Sequence, residues 1–159
     1  MGAGVLLLIA WLRQTSPEHW VRILDDANLV FHEAGHPLFG LLGTTLGLYG
    51  GTLGQLVFPT LSSVHFWREG ETVAFSLCLA WLFENFLHIS RYMADARAQI
   101  LPLVGGGEHD WTTIFSNWGL LPHDATIAGF VGFLGWVGYA GCALWLLYRG
   151  FIVGRRTER

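Results

Sequence analysis

The chain contains no lysine, only two cysteines and few charges of either sign; 13% of its 159 residues are charged, about half the share in an ordinary soluble domain. Nine arginines against twelve acids leave a formal net charge of -3, with no basic stripe. A nucleic-acid binder needs such a stripe to neutralise phosphates, so that class is excluded. Cys78 and Cys142 both lie inside apolar segments. They read as small packing residues, and neither a disulfide framework nor a thiolate metal site is expected.

What is abundant is apolar. Hydrophobic residues make up 52% of the chain, with eight Trp, eleven Phe and twenty-one Gly. Pro37 to Trp67 and Ala125 to Tyr148 carry no Asp, Glu, Lys or Arg. Roughly 20 apolar residues suffice for a helix to cross the hydrocarbon core. The expected fold is therefore an all-α, polytopic membrane helix bundle with about four transmembrane spans, in one domain over 1–159. The lipid bilayer is its first partner.

Within that domain, residues 17–101 form the expected core. Met1 to Leu12 is short, lacks a basic start and reads as an N-terminal surface segment. Ser16-Pro17-Glu18 has the N-cap, first-position proline and early acid of a helix start. Gly50-Gly51 is the expected break before a second span, which runs to Trp67. A polar turn, Arg68 to Glu71, precedes a third helix from Thr72 to about Ile100, ended by Pro102. An outer loop, 101–123, opens with Gly105-Gly106-Gly107. The last span covers 124–150. Arg149, Arg155, Arg156 and Arg159 follow it, which predicts a cytoplasmic C-terminus and, counting back four spans, a cytoplasmic N-terminus. In the last span Gly129, Gly132, Gly135, Gly138 and Gly141 recur at every third position. Such a row serves close helix packing, either inside the bundle or against other membrane subunits.

One motif carries chemistry. His32-Glu33-Ala34-Gly35-His36 is an H-E-x-x-H inside a predicted helix. Two His four residues apart share a face and can bind one ion, commonly Zn2+, while the Glu activates water. Three ionisable groups in five residues are costly in hydrocarbon and should face a cavity, a partner or an ion. Asn28 and Asp25 lie on the same face, one and two turns before His32, as acceptors for the imidazole N–H groups or as interfacial polar residues. A zinc site needs a third protein ligand. Glu84, His88 and Asp95 fall on one face of the third helix, and His109-Asp110 in the outer loop offers another source. Trp111 suits the membrane interface and would hold that loop near the bundle; a solvated loop is the equal alternative.

The His32-Glu33-Ala34-Gly35-His36 motif, followed two spans later by Asp95 in Tyr92-Met93-Ala94-Asp95-Ala96-Arg97, resembles the site-2 protease family of intramembrane zinc metallopeptidases. The resemblance covers residues 29 to 97. It implies His32, His36 and Asp95 as zinc ligands, Glu33 as general base, and a membrane-embedded peptide as substrate. Depth counting along the helices instead brings Glu84 or His88 to the metal.

The expected function is thus an intramembrane zinc-dependent hydrolase, most simply a metallopeptidase. A non-catalytic metal-containing subunit of a larger membrane complex is the alternative. A di-metal carboxylate oxidase ranks third, because Glu33-x-x-His36 also fits di-iron bundles but Glu84 to His88 is one residue too long for its partner.

Overall fold

The computed structural model describes residues 2–16, 19–104 and 108–157, with side chains as far as Ile152. All regular structure among them is helical: α1 (Gly2–Thr15), α2 (Arg22–Gly40), α3 (Thr44–Arg68), α4 (Thr72–Ala94), α5 (Asp110–Asn117) and α6 (Asp124–Thr157), with one 3-10 turn at Leu121–His123. The all-α expectation is met. Two stretches, Thr72–Ala94 and Leu121–Ile152, are long and apolar enough to cross a membrane. Helix α2 carries too many ionisable groups to join them, and α1 has 14 residues.

The residues expected to lie on the surface at the N-terminus form α1, packed against α4 and α6. Leu6 is buried with Ala80, Tyr139, Cys142 and Leu146, and Tyr139 Oη donates to the Leu6 carbonyl at 2.7 Å. An apolar helix without a basic start reads as a surface segment only while its partners are unknown. Pro17-Glu18 lie outside the described residues. Ser16 follows α1, its hydroxyl donating to the Arg13 carbonyl, and α2 begins at Arg22, where Asp25 accepts from the Val21 N–H.

Helices α1 and α2 lie end to end along α4. Gly2 approaches Val73 near the start of α4, whereas Arg13 and Asn28 both reach Glu84 at its middle. Their junction is a buried polar network. Arg13 pairs with Asp25 at 2.8 Å and with Glu84, Asn28 donates to Glu84 at 2.6 Å, and Trp81 donates to Asn28 at 2.8 Å. Charges taken out of water are tolerated only when paired and hydrogen-bonded in this way.

The break between the second and third helices falls at Leu41–Gly43, where Gly43 has φ +124°, and not at Gly50-Gly51. Those two glycines sit inside α3 and let it touch α2. A Cβ on Gly50 would stand 2.6 Å from the Gly35 carbonyl oxygen, and Gly35 and Gly54 are closed to a side chain in the same way. Backbone-to-backbone contact without side chains is how such helices pack. In α6, Gly132, Gly135 and Gly138 pack against Ser90, Leu87 and Phe83 of α4, while Gly129 and Gly141 meet nothing.

The outer segment is not all loop. Helix α5 lies across the end of α4, with Ile114 and Phe115 fully buried against Ile89, Met93, Ala96 and Ala128. Thr112 Oγ1 donates to the Ala96 carbonyl, and Gln99 donates to Thr112 at 3.1 Å. Gly105-Gly106-Gly107 lie outside the described residues.

Candidate metal centre

His32 and His36 project from one face of α2 toward Asp110, the first residue of α5. Three atoms converge: His32 Nε2 and Asp110 Oδ2 at 2.9 Å, His36 Nε2 and Asp110 Oδ2 at 3.2 Å, and the two Nε2 atoms at 3.3 Å. Ligands at about 2.0–2.1 Å from a tetrahedral ion stand about 3.3–3.4 Å from one another, so the triangle is close to the size of a zinc site.

The far sides of both rings decide which nitrogens carry protons. His36 Nδ1 lies 2.8 Å from the Gly47 carbonyl oxygen, which only accepts, so Nδ1 donates there and Nε2 faces Asp110, whose hydrogen bond raises the pKa of the ring to about 9. His32 Nδ1 lies 3.0 Å from Gln55 Oε1. That amide is oriented from its other end. Asn85 Nδ2 donates to the Trp81 carbonyl at 3.0 Å, leaving Asn85 Oδ1 to accept from Gln55 Nε2 at 3.4 Å. Gln55 Nε2 also donates to His88 Nδ1 at 2.9 Å. His32 Nδ1 is therefore a donor too. Two imidazole Nε2 atoms and a carboxylate oxygen face one point; without an ion Nε2–H donates to Asp110, and a cation displacing those protons would meet three ligand atoms.

Gly51 is needed for this. A Cβ there would lie 2.5 Å from His32 Nε2. The helix that carries Asp110 is held from several sides. Tyr92 Oη accepts from the Asp110 N–H at 3.3 Å. His109 caps α5 through Nδ1, which accepts from the Thr112 N–H at 3.3 Å, and its ring stacks on Tyr92 at 4.1 Å. Burial opposes ionisation of Asp110, yet hydrogen bonds from His32 and His36 outweigh it and hold the carboxyl at about 2. Burial lowers the pKa of His109, against the pull of Asp95 and Asp110.

Asp95, the third ligand implied by the family resemblance, is placed elsewhere. It ends α4, and its carboxylate accepts from the Ile100 and Leu101 N–H groups at 2.9 and 3.0 Å. The helix stops before Asp95 can face the imidazoles, and Asp110 occupies the third position. Asp25, Asn28 and Glu84 belong to the Arg13 network and do not reach the imidazoles. His88 touches the centre only through Gln55. Gln55, Gly47 and Asn85, which set the imidazole protons, were not singled out from sequence. Gln55 was the legible one, being the single carboxamide in the uncharged run from Pro37 to Trp67.

Glu33 is not part of the triangle. With His32 it lines a cavity of about 510 Å³ whose other walls include Trp20, Leu29, Tyr92 and the stretch from Leu101 to Val104. Its carboxylate makes no hydrogen bond or ion pair with another described residue. A chamber therefore adjoins one candidate ligand and a carboxylate that has no ion-pair partner among the described residues.

Comparison of the chain with family models, curated proteins and solved structures gave no match.

Proposed function

We propose that the protein is a membrane-embedded, metal-dependent hydrolase in which His32, His36 and Asp110 hold the ion and Glu33 is the general base. The observation that carries this reading is the convergence of three potential ligand atoms beside a cavity lined by a glutamate that has no ion-pair partner among the described residues. Two imidazoles and one carboxylate suit Zn2+, whose bound state supplies Lewis acidity at a carbonyl and acidifies a water. Three protein ligands leave a coordination position open, as catalytic zinc sites do.

The residues of the chain do the rest. Gln55 and Gly47 hold the Nδ1 sides of the rings, so that both Nε2 atoms aim inward. Asp110 supplies a negative ligand from a helix whose apolar face is fully buried. Glu33, outside the ligand set, takes a proton from the attacking water and returns it to the leaving group. The substrate is a carbonyl compound of the ester or amide class, a peptide bond being what the site-2 protease resemblance implies. Two long apolar helices and the many exposed large apolar side chains, among them Phe130, Phe133, Leu144 and Phe151, support insertion in a bilayer. The end shared by the start of α1 and the later part of α6 is the cytoplasmic one on the arginine bias.

Metal analysis of purified wild type, His36→Ala and Glu33→Gln tests the reading. Wild type and Glu33→Gln should carry one zinc, His36→Ala almost none, and only wild type should hydrolyse an amide substrate. Equal metal in all three, or loss of metal in Glu33→Gln, would remove its basis.

A further inference from the structure

Resting on the hydrolase reading, we infer that the cavity beside Glu33 takes a single acyl chain, and that the substrate is an acyl ester or amide with an anionic head group. The walls argue for this. Apart from His32, Glu33, His88 and the two arginines, they are apolar or aromatic. At about 510 Å³ the cavity is within the range of drug-sized ligand sites, about 300–1,000 Å³. Leu103 and Val104, 39% and 50% exposed, form an apolar lip at its edge.

An extended peptide needs something else. It is usually recognised through main-chain hydrogen bonds to a sheet edge. No strand is present among the described residues. In the non-helical stretch from Leu101 to Val104, Pro102 has no N–H and the Leu101 N–H is committed to Asp95, so half of that stretch offers a peptide no donor. An acyl chain asks for no such bonds. At the head end, Arg22 and Arg91 both line the cavity, Arg91 lying over the Trp20 ring at 5.4 Å. Arg22 together with a bound divalent ion outweighs Glu33 and favours an anion.

The reaction is a hydrolysis. Water oxygen bonds to the acyl carbon, the C–N or C–O bond breaks, and Glu33 carries the proton to the departing amine or alkoxide. The products are a fatty carboxylate and an amine or alcohol that keeps the anionic group.

The test uses N-palmitoylglycine, neutral N-palmitoylethanolamine and chainless N-acetylglycine, titrated calorimetrically into the full chain held in amphipol, with and without zinc. N-palmitoylglycine should bind in both states and N-acetylglycine in neither. Leu29→Trp, which fills the cavity, should weaken binding by about tenfold or more with zinc content unchanged; Leu103→Trp serves if that variant does not fold. Arg22→Glu should weaken N-palmitoylglycine but leave N-palmitoylethanolamine unaffected. No binding of N-palmitoylglycine, or its displacement by a hydrophobic oligopeptide that is itself cleaved, would overturn the inference and leave the hydrolase reading standing. Binding of N-palmitoylglycine without any zinc-dependent cleavage would keep the acyl site and discard the hydrolase.

Discussion

The carboxylate of Asp95 stands 3.6 Å from His109 Nε2, which has no hydrogen-bond partner although the His109 side chain is wholly buried. Because His109 Nδ1 accepts from Thr112, the proton is on Nε2 and points toward Asp95. Asp95 thus supports the candidate centre only through the segment that carries Asp110. It closes the turn after α4 and attracts the histidine that caps α5, whose first residue is Asp110.

This separates two aspartates by their effect on metal. Asp110→Asn removes a ligand and should nearly abolish zinc binding. Asp95→Asn should weaken it by about 10- to 100-fold, the usual cost of losing support for a ligand. Zinc affinity measured by chelator competition distinguishes them; a larger loss in Asp95→Asn would make Asp95 the ligand.

How much of this was legible follows from which residues act locally. The H-E-x-x-H face is set by helical spacing, so His32, Glu33 and His36 could be placed from sequence alone. Asp110 was named only as one option, because what swings it onto α2 is the burial of Ile114 and Phe115 under α4 and α6, a contact between distant segments. Asp95 looked suited to the centre while α4 was thought to reach Ile100. The helix ends at Ala94 instead. The glycines misled in the same way. Gly50-Gly51 look like a turn in sequence, whereas the turn needed only Gly43, and their own role appears only when α2 lies against α3.

Gly51→Ala should be read in the metal centre rather than in the fold. The added methyl meets the His32 ring, and His32 cannot move without losing Gln55. Overpacking of this kind costs about 1–3 kcal/mol, and zinc affinity should fall with it. Gly141→Ala, at a position that meets nothing, should change neither thermal stability nor metal content.

Gln55 is predicted to set the His32 tautomer. Gln55→Leu leaves Nδ1–H without an acceptor and should lower zinc affinity by about 10- to 100-fold. Gln55→Glu restores an acceptor and should recover most of it. If both variants bind zinc like wild type, the tautomer is set by something else.

Arg13 should matter for stability and not for metal. It is 5% exposed and faces Asp25 and Glu84, both buried. Removing one partner of a buried ionic cluster costs about 3–5 kcal/mol, because the other charges stay buried and unpaired. Arg13→Met should therefore lower the thermal midpoint markedly in detergent. Arg13→Met combined with Asp25→Asn and Glu84→Gln should recover part of it.

Acidification should release the metal through the imidazoles. Asp110 is held ionised down to about pH 2 by its two histidine partners, so in the acid range its carboxylate remains available to the ion. The imidazoles must lose their Nε2 protons to bind, and metal affinity therefore falls as pH falls. In the ion-free centre the hydrogen bond to Asp110 raises the pKa of His36 to about 9, so zinc affinity followed from about pH 10 to pH 4 should begin to decline as pH falls through about 9, with proton uptake at His36. In His36→Gln the number of protons taken up per zinc released should be smaller, whereas in Asp110→Asn its dependence on pH should persist at lower overall affinity. A release curve that vanishes in Asp110→Asn would place the acid-sensitive group on the carboxylate and contradict this assignment.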